Sequence, residues 1–296
     1  GVALSVYRPH ILYQTSAISK LLRPATLLTL QRHTVYMRIQ NSYLPVSGVG
    51  ETREQRLWEA GLYEWAEFSP KRAPVGPKTT EAIESFISEA SVALDDADTK
   101  FFQSRLPSSE LWRIYENVRS EALFFDIETT GLDARRNTIT TVSFYQGNDT
   151  TTLVRDDTLT EESLRTMFAN APLIISFNGA QFDVPFIETN YSLDIDTPHL
   201  DLRYPCKQVN LTGGLKSIEQ AVGISRDLEA VDGRDAVRLW YQYERENDDF
   251  ALEKLIQYNQ ADTVNLRALT DIVVNKLHNR SLGAVADLPC GVPDPR

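Results

Sequence analysis

The chain has 296 residues, with 41 Asp and Glu against 30 Lys and Arg, and a formal net charge of -11. That length allows one large domain or two modest ones, and the negative field excludes binding of nucleic acid through overall charge, so any polyanion contact must be local. No apolar run is long enough to span a bilayer, and Cys206 and Cys290 lie far apart without C-x-x-C spacing, which argues against a zinc site and for a reduced, cytoplasmic compartment without membrane contact.

Residues 1–36 carry Arg8, Lys20, Arg23 and Arg32 and no Asp or Glu. Met37 is the first methionine, so this stretch is expected to be a disordered, dispensable leader or translated sequence upstream of a true start at Met37. Residues 37–118 read as a small helical module. A loop with Gly48 and Gly50 leads into a short helix ending near Gly61. A Pro-rich linker from Pro70 to Pro77 precedes a helix over about Thr79 to Asp95, with Ala82, Ile83, Phe86, Ile87, Ala90 and Ala93 at helical spacing. The Gly-x-Gly turn is similar to half of a helix-hairpin-helix element, whose N–H groups hold phosphate. Here Glu51 follows it instead of a basic residue, and plain packing is the competing reading.

A second domain is expected over 119–278. It opens on Ala122 to Leu132, A-L-F-F-D-I-E-T-T-G-L, a short apolar strand holding two acids. Strands are predicted over Thr138 to Tyr145 and Thr150 to Val154, joined by a turn at Gly147, Asn148 and Asp149. A helix capped near Thr160 runs to about Ala169, and Pro172 to Phe177 is an apolar strand before the cluster N-G-A-Q-F-D-V-P-F, Asn178 to Phe186. Beyond His199 the pattern turns helical: Leu215 to Val222 after Gly213-Gly214, a helix bearing Val237, Leu239, Trp240 and Tyr243, and a long helix from about Phe250 to Lys276. The tail, 279–296, reads as loose. A strand meander followed by strand–helix alternation is the α/β pattern of a mixed sheet flanked by helices, preceded by a small helical module.

Residues two apart on a strand share a face, so Asp126 and Glu128 project together beside Leu123, Phe124 and Phe125. Like charges held close on a half-buried strand repel, and a cation between them relieves the repulsion; a solvated acidic face is the competing reading. On the last helix Tyr258 and Asp262 stand four apart and emerge on one face, where each alone is also compatible with an ordinary core tyrosine and a surface acid. With carboxylates, no cysteine and no paired histidines, the donor set suits Mg²⁺ or Mn²⁺.

Taken in order, Asp126 and Glu128, then Phe182-Asp183, then Tyr258 and Asp262 resemble the motifs of the DEDD exonuclease superfamily, also called DnaQ-like, in its tyrosine-bearing form. Asn178 to Phe186 is similar to the second exonuclease motif of family-B polymerase proofreading domains. The segments H-L-D-L, G-G-L-K-S-I-E (Gly213 to Glu219), A-V-R-L-W (Ala236 to Trp240) and Y-N-Q-A-D-T-V-N-L (Tyr258 to Leu266) look like the YprB-type ribonuclease-H-like nucleases, as does the F-F-x-x-R-L-P connector, Phe101 to Pro107. The resemblance implies a ribonuclease-H-like fold and a 3′ to 5′ exonuclease acting on single-stranded DNA or RNA. It implies two ions held by Asp126, Glu128, Asp183 and Asp262, with Asp126 bridging and Tyr258 orienting water or phosphate. Thr129, Asn178, Phe182 and Lys216 are the expected substrate contacts, although Asn178 serves equally well as a helix cap. Arg135, Arg136, Arg203, Lys207 and Lys216 form either a phosphate track or ordinary surface charge. His199 and Asp201 either support the site or close a strand end by hydrogen bonding. The rival functions are a non-catalytic nucleic-acid-binding module on the same fold and a structure-specific endonuclease.

Overall fold

A computed structural model describes residues 37–225 and 233–286. The expected leader, 1–36, and most of the acid-rich loop before Asp235 lie outside the described residues. At the centre of the fold is β1 (Leu123–Thr129). It pairs antiparallel with β2 (Ile139–Gln146), which pairs antiparallel with β3 (Asp149–Val154). On its other side it pairs parallel with β4 (Ile174–Ser176), which pairs parallel with β5 (His199–Asp201). The result is one five-stranded sheet in the order β3-β2-β1-β4-β5.

Strand pleating divides the side chains of β1 between two cores. Leu123, Phe125 and Ile127 pack with Leu164 and Phe168 of the helix Glu161–Ala169, and with Phe186 and Ile187 of the helix Asp183–Tyr191. Phe124, and therefore Asp126 and Glu128, face the opposite layer. That layer is the helix Asp249–Arg280, 32 residues and about 48 Å long at 1.5 Å per residue. Its first turns join a cluster with Ala236, Leu239 and Trp240 of the helix Gly233–Glu246, and its later turns place Leu266, Leu269, Val273, Val274 and Leu277 in the larger core. Asn259 and Asp262 sit where one apolar patch gives way to the other.

The N-terminal residues build on the same larger core. Helices Glu51–Glu59 and Pro77–Asp95 contribute Leu57, Trp58, Ile83 and Phe86, which share one cluster with Phe124, Ile175 and Leu200 of the sheet. A polar clamp adds to this joint: Tyr115 Oη donates to Asp271 (2.8 Å), and Arg119 makes a bidentate pair with the same carboxylate at 2.6 and 2.9 Å. The second of these helices starts at Pro77, two residues earlier than predicted, because proline is well suited to a first helical turn. Among the described residues, the first is preceded by the 3-10 turn Ile39–Asn41.

The expectation of a loose tail needs correction over its first part. The long helix continues to Arg280, and a further turn buries Leu282 and Ala286 in the core, so the chain is packed at least to residue 286. Among the described residues no helix is long and apolar enough to cross a membrane.

Candidate metal centre

Three side chains meet above β1: Asp126, Glu128 and Asp262 each offer an oxygen, and these atoms all lie within 4.8 Å of one another. Asp183, the first residue of its helix and only 4% exposed, reaches the strand between the first two, its Oδ1 accepting from Ile127 N at 3.2 Å. It stands outside the three-oxygen group, yet its charge is felt by both Asp126 and Glu128. The four acids of the sequence motifs therefore gather around the middle of β1.

The turn that delivers Asp183 is tightly built. Asn178 takes φ +66°, a left-handed conformation that asparagine tolerates better than most residues. At Gly179 a Cβ would collide with the Ser176 side chain and come within 3.3 Å of Asp183 Oδ2. Asp201, at the end of β5, binds the turn from below, accepting from Asn178 N (2.7 Å), Ala180 N (3.1 Å) and Arg203 N (3.0 Å). His199 closes the neighbouring strand end through Ser176 Oγ at 2.8 Å, and burial lowers its pKa to about 4, which keeps the ring neutral. Both residues thus make hydrogen bonds at the sheet edge, and Asp201 does so directly beneath the second motif. Asn178 does not cap the helix with its side chain: the helix begins at Asp183, and the Asn178 amide oxygen accepts from Arg203 instead.

Electrostatically the cluster is self-opposed. Loss of water first, and then the charges of Asp183, Asp262 and Glu128, push the Asp126 pKa well above the usual carboxylate range. Glu128 is raised to about 8 by burial and then by Asp262 and Asp183, with Lys216 pulling the other way; Asp183 is raised to about 7, mainly by burial. The Tyr258 phenol is pushed upward by burial and by Asp262, to which it is hydrogen-bonded, so it stays protonated. Lys216, near the start of the helix Leu215–Val222, places Nζ 4.7 Å from the centroid of the Tyr258 ring.

The remaining expected residues divide. Thr129 is buried at the bulge that ends β1 and donates to Gly131 O at 2.8 Å. Phe182 packs on Phe186, with ring centroids 5.4 Å apart. Of the proposed phosphate track, Lys216 lies over the Tyr258 ring with its charge felt at Glu128, whereas Arg136 pairs with Asp133 at 3.5 Å and Arg203 holds Asn178.

Sequence reasoning passed over Asn259. It is fully buried, donates to Asp126 Oδ2 at 2.8 Å and lies 3.3 Å from Asp126 O, while its Oδ1 accepts from Thr141 Oγ1 at 3.0 Å. The available signal was a run of amides, Asn259-Gln260, in a helix segment whose neighbours Leu255 and Leu266 are core residues.

Hard oxygen donors, close together and poorly solvated, fit a divalent cation: it would replace mutual repulsion by attraction to each carboxylate. The three donors are carboxylates, with no sulfur or imidazole among them, so a soft-metal site does not fit.

The sequence model of the RNase_H superfamily matches residues 123–274, just over half of the chain. The chain belongs to that superfamily, and the sheet order and flanking helices agree. Among solved structures it is similar to the family B DNA polymerase of the hyperthermophilic archaeon Pyrobaculum calidifontis (16% identity over 54% of this chain and 25% of the polymerase, TM-score 0.43). It is also similar to an apo form of a nuclease (19% identity, 58% of this chain and 83% of that one, TM-score 0.40). A third likeness is Brucella melitensis NrnC (16% identity, 58% and 82%, TM-score 0.38). The chain thus spans about a quarter of the polymerase, and all three are partial superpositions. No curated protein matches the chain.

Proposed function

We propose that this protein is a metal-dependent nuclease of the tyrosine-bearing DEDD type, with motifs like those of the YprB-like group, acting as a 3′ to 5′ exonuclease on single-stranded ends. The observation that carries the reading is the convergence of Asp126, Glu128 and Asp262 within 4.8 Å, in a superfamily built on this sheet. Asp126, Glu128, Asp183 and Asp262 would hold two Mg²⁺ or Mn²⁺ ions. When bound, a pair of ions about 3.5–4 Å apart activates water and neutralises charge on the attacking and leaving oxygens of a phosphodiester.

The chain's own groups then have separate tasks. Tyr258, held protonated with its one hydroxyl proton directed to Asp262, positions the water or the scissile phosphate beside that carboxylate and does not act as a base. Lys216, over the Tyr258 ring, supplies the charge that meets a phosphate of the incoming strand. Phe182, Thr129 and Asn178 border the path of the strand, with the Asn178 backbone set by Asp201.

The test is degradation of end-labelled linear and circular single strands of DNA and RNA with Mn²⁺. Linear strands are expected to shorten from the 3′ end and circles to survive; cleavage of circles would favour the endonuclease reading. Asp126→Ala and Asp262→Ala are each expected to reduce the rate by about 10³-fold or more, since several kcal/mol of charge stabilisation is lost. Activity surviving both substitutions refutes the assignment.

A further inference from the structure

Asn259 lies one residue after Tyr258 and three before Asp262, and it reaches both strands of the sheet's central hairpin. Carboxylate and carbonyl oxygens only accept, so the amide nitrogen must point at Asp126, where it bonds Oδ2 at 2.8 Å and lies 3.3 Å from the main-chain oxygen. The opposite end of the amide is fixed by Thr141, whose hydroxyl donates to Oδ1 at 3.0 Å and whose backbone stands opposite Glu128 in the β1–β2 register. Asn259 and Thr141 are both fully buried, so neither end can exchange its partner for bulk water.

We infer that Asn259 is a positioning residue: with Thr141 it forms a fixed amide strut that sets the direction of the Asp126 carboxylate. One oxygen of Asp126 is occupied by the strut, and among the described residues the other takes no protein hydrogen bond. The carboxylate is therefore held with a defined oxygen left for a cation, at the residue most crowded by like charge. Without the strut, repulsion from Glu128, Asp183 and Asp262 turns the carboxylate away from the other ligands. The neighbouring Gln260 is a natural control, because it is also buried and bonds Thr152 Oγ1 at 3.0 Å without touching an acid.

The inference rests on the metal reading above, and Mn²⁺ titration calorimetry on the full chain separates the two. Asn259→Leu, close in size and unable to hydrogen-bond, is expected to bind Mn²⁺ about 10- to 100-fold more weakly, with kcat falling and the KM for a single strand unchanged. Gln260→Met is expected to bind Mn²⁺ like the wild type. Equal affinity in folded Asn259→Leu and wild type overturns the inference, as does an equal loss in Gln260→Met, which would mark a general loss of packing. Should Asn259→Leu not fold, Thr141→Val decides: it keeps every atom of Asn259 and frees its far end, and about a three- to tenfold loss is expected, an unchanged affinity overturning the strut. A wild type that binds no Mn²⁺ fails at the earlier step and removes the metal reading together with the strut.

Discussion

The molecule buries carboxylates in two places, and it treats them oppositely. In the N-terminal module, Glu54 is 1% exposed and completely partnered. One oxygen accepts from Ser42 Oγ, Tyr43 N and Leu44 N at 2.8, 2.7 and 3.2 Å, and the other from Arg113 at 2.9 Å. Above β1, acids face acids: Asp126, Glu128 and Asp262 lie together with Asp183 beside them, and the nearest cation, Lys216, lies over the Tyr258 ring and only partly offsets the charge at Glu128. Burial raises the proton affinity in both places, but at Glu54 every further contribution lowers it, whereas at Asp126 and Glu128 most add to it. A buried acid with all its partners is architecture. A set that repels itself, two of its acids buried and two half-buried, is stored electrostatic work, and it persists only where something else uses it.

The largest test of that contrast is removal of one acid from each place. Glu54→Ala leaves the buried Ser42, Tyr43 and Leu44 donors without their acceptor and the Arg113 guanidinium with Glu110 alone, and is expected to cost about 3–5 kcal/mol in urea unfolding, while the rate per folded molecule stays unchanged. Asp126→Asn is expected to do the reverse, raising the stability of the metal-free protein by about 1 kcal/mol while abolishing hydrolysis. If both substitutions destabilise alike, the two sites do not differ in kind.

A smaller effect sharpens the comparison through pH. Glu128 and Asp183 have folded pKa values of about 8 and 7, above those of the unfolded chain. Between pH 4.5 and 8 the folded state therefore binds more protons than the unfolded one, so metal-free stability falls as pH rises through this window. Mn²⁺ competes with those protons, and its stabilisation should grow in the same interval. Thermal melts at pH 5.5 and pH 8, with and without Mn²⁺, are expected to show a larger metal-induced rise in Tm at the higher pH; equal rises at both would contradict the raised values.

Periodicity made much of this legible. The strand at Leu123, the hairpin after Gln146 and the long last helix announce themselves by pattern, and the acids at Asp126, Glu128 and Asp262 were visible as charges interrupting apolar runs. What pattern cannot carry is partnership. Asn259 reads as a helix amide until β1 is seen beneath it, and Asp201 gives no sign in sequence that its carboxylate ties down the turn at Asn178 across 23 residues. The same limit hid the structural role of Glu54, which looks like any surface acid of a charged helix until Arg113, 59 residues later, is placed against it. The packed turn after Arg280 was missed because Gly and Pro further along suggest looseness, while Leu282 finds the core by tertiary contact alone.

The smallest predicted effect concerns Lys216, the cation that enters the self-opposed site without neutralising it. Were it simply a counter-ion like Arg113, removing it would harm the site in every respect. Its position over the Tyr258 ring, and its influence on Glu128, give a different expectation. A lysine near the acids weakens their hold on a metal ion by like-charge repulsion, yet attracts phosphate. Lys216→Met should therefore bind Mn²⁺ slightly more tightly and a single strand severalfold less tightly, with the salt dependence of strand binding reduced by about one phosphate contact. Opposite signs for metal and nucleic acid mark a residue that serves the substrate. Loss of both together would place Lys216 with Arg113, as a partner that holds a buried acid in place.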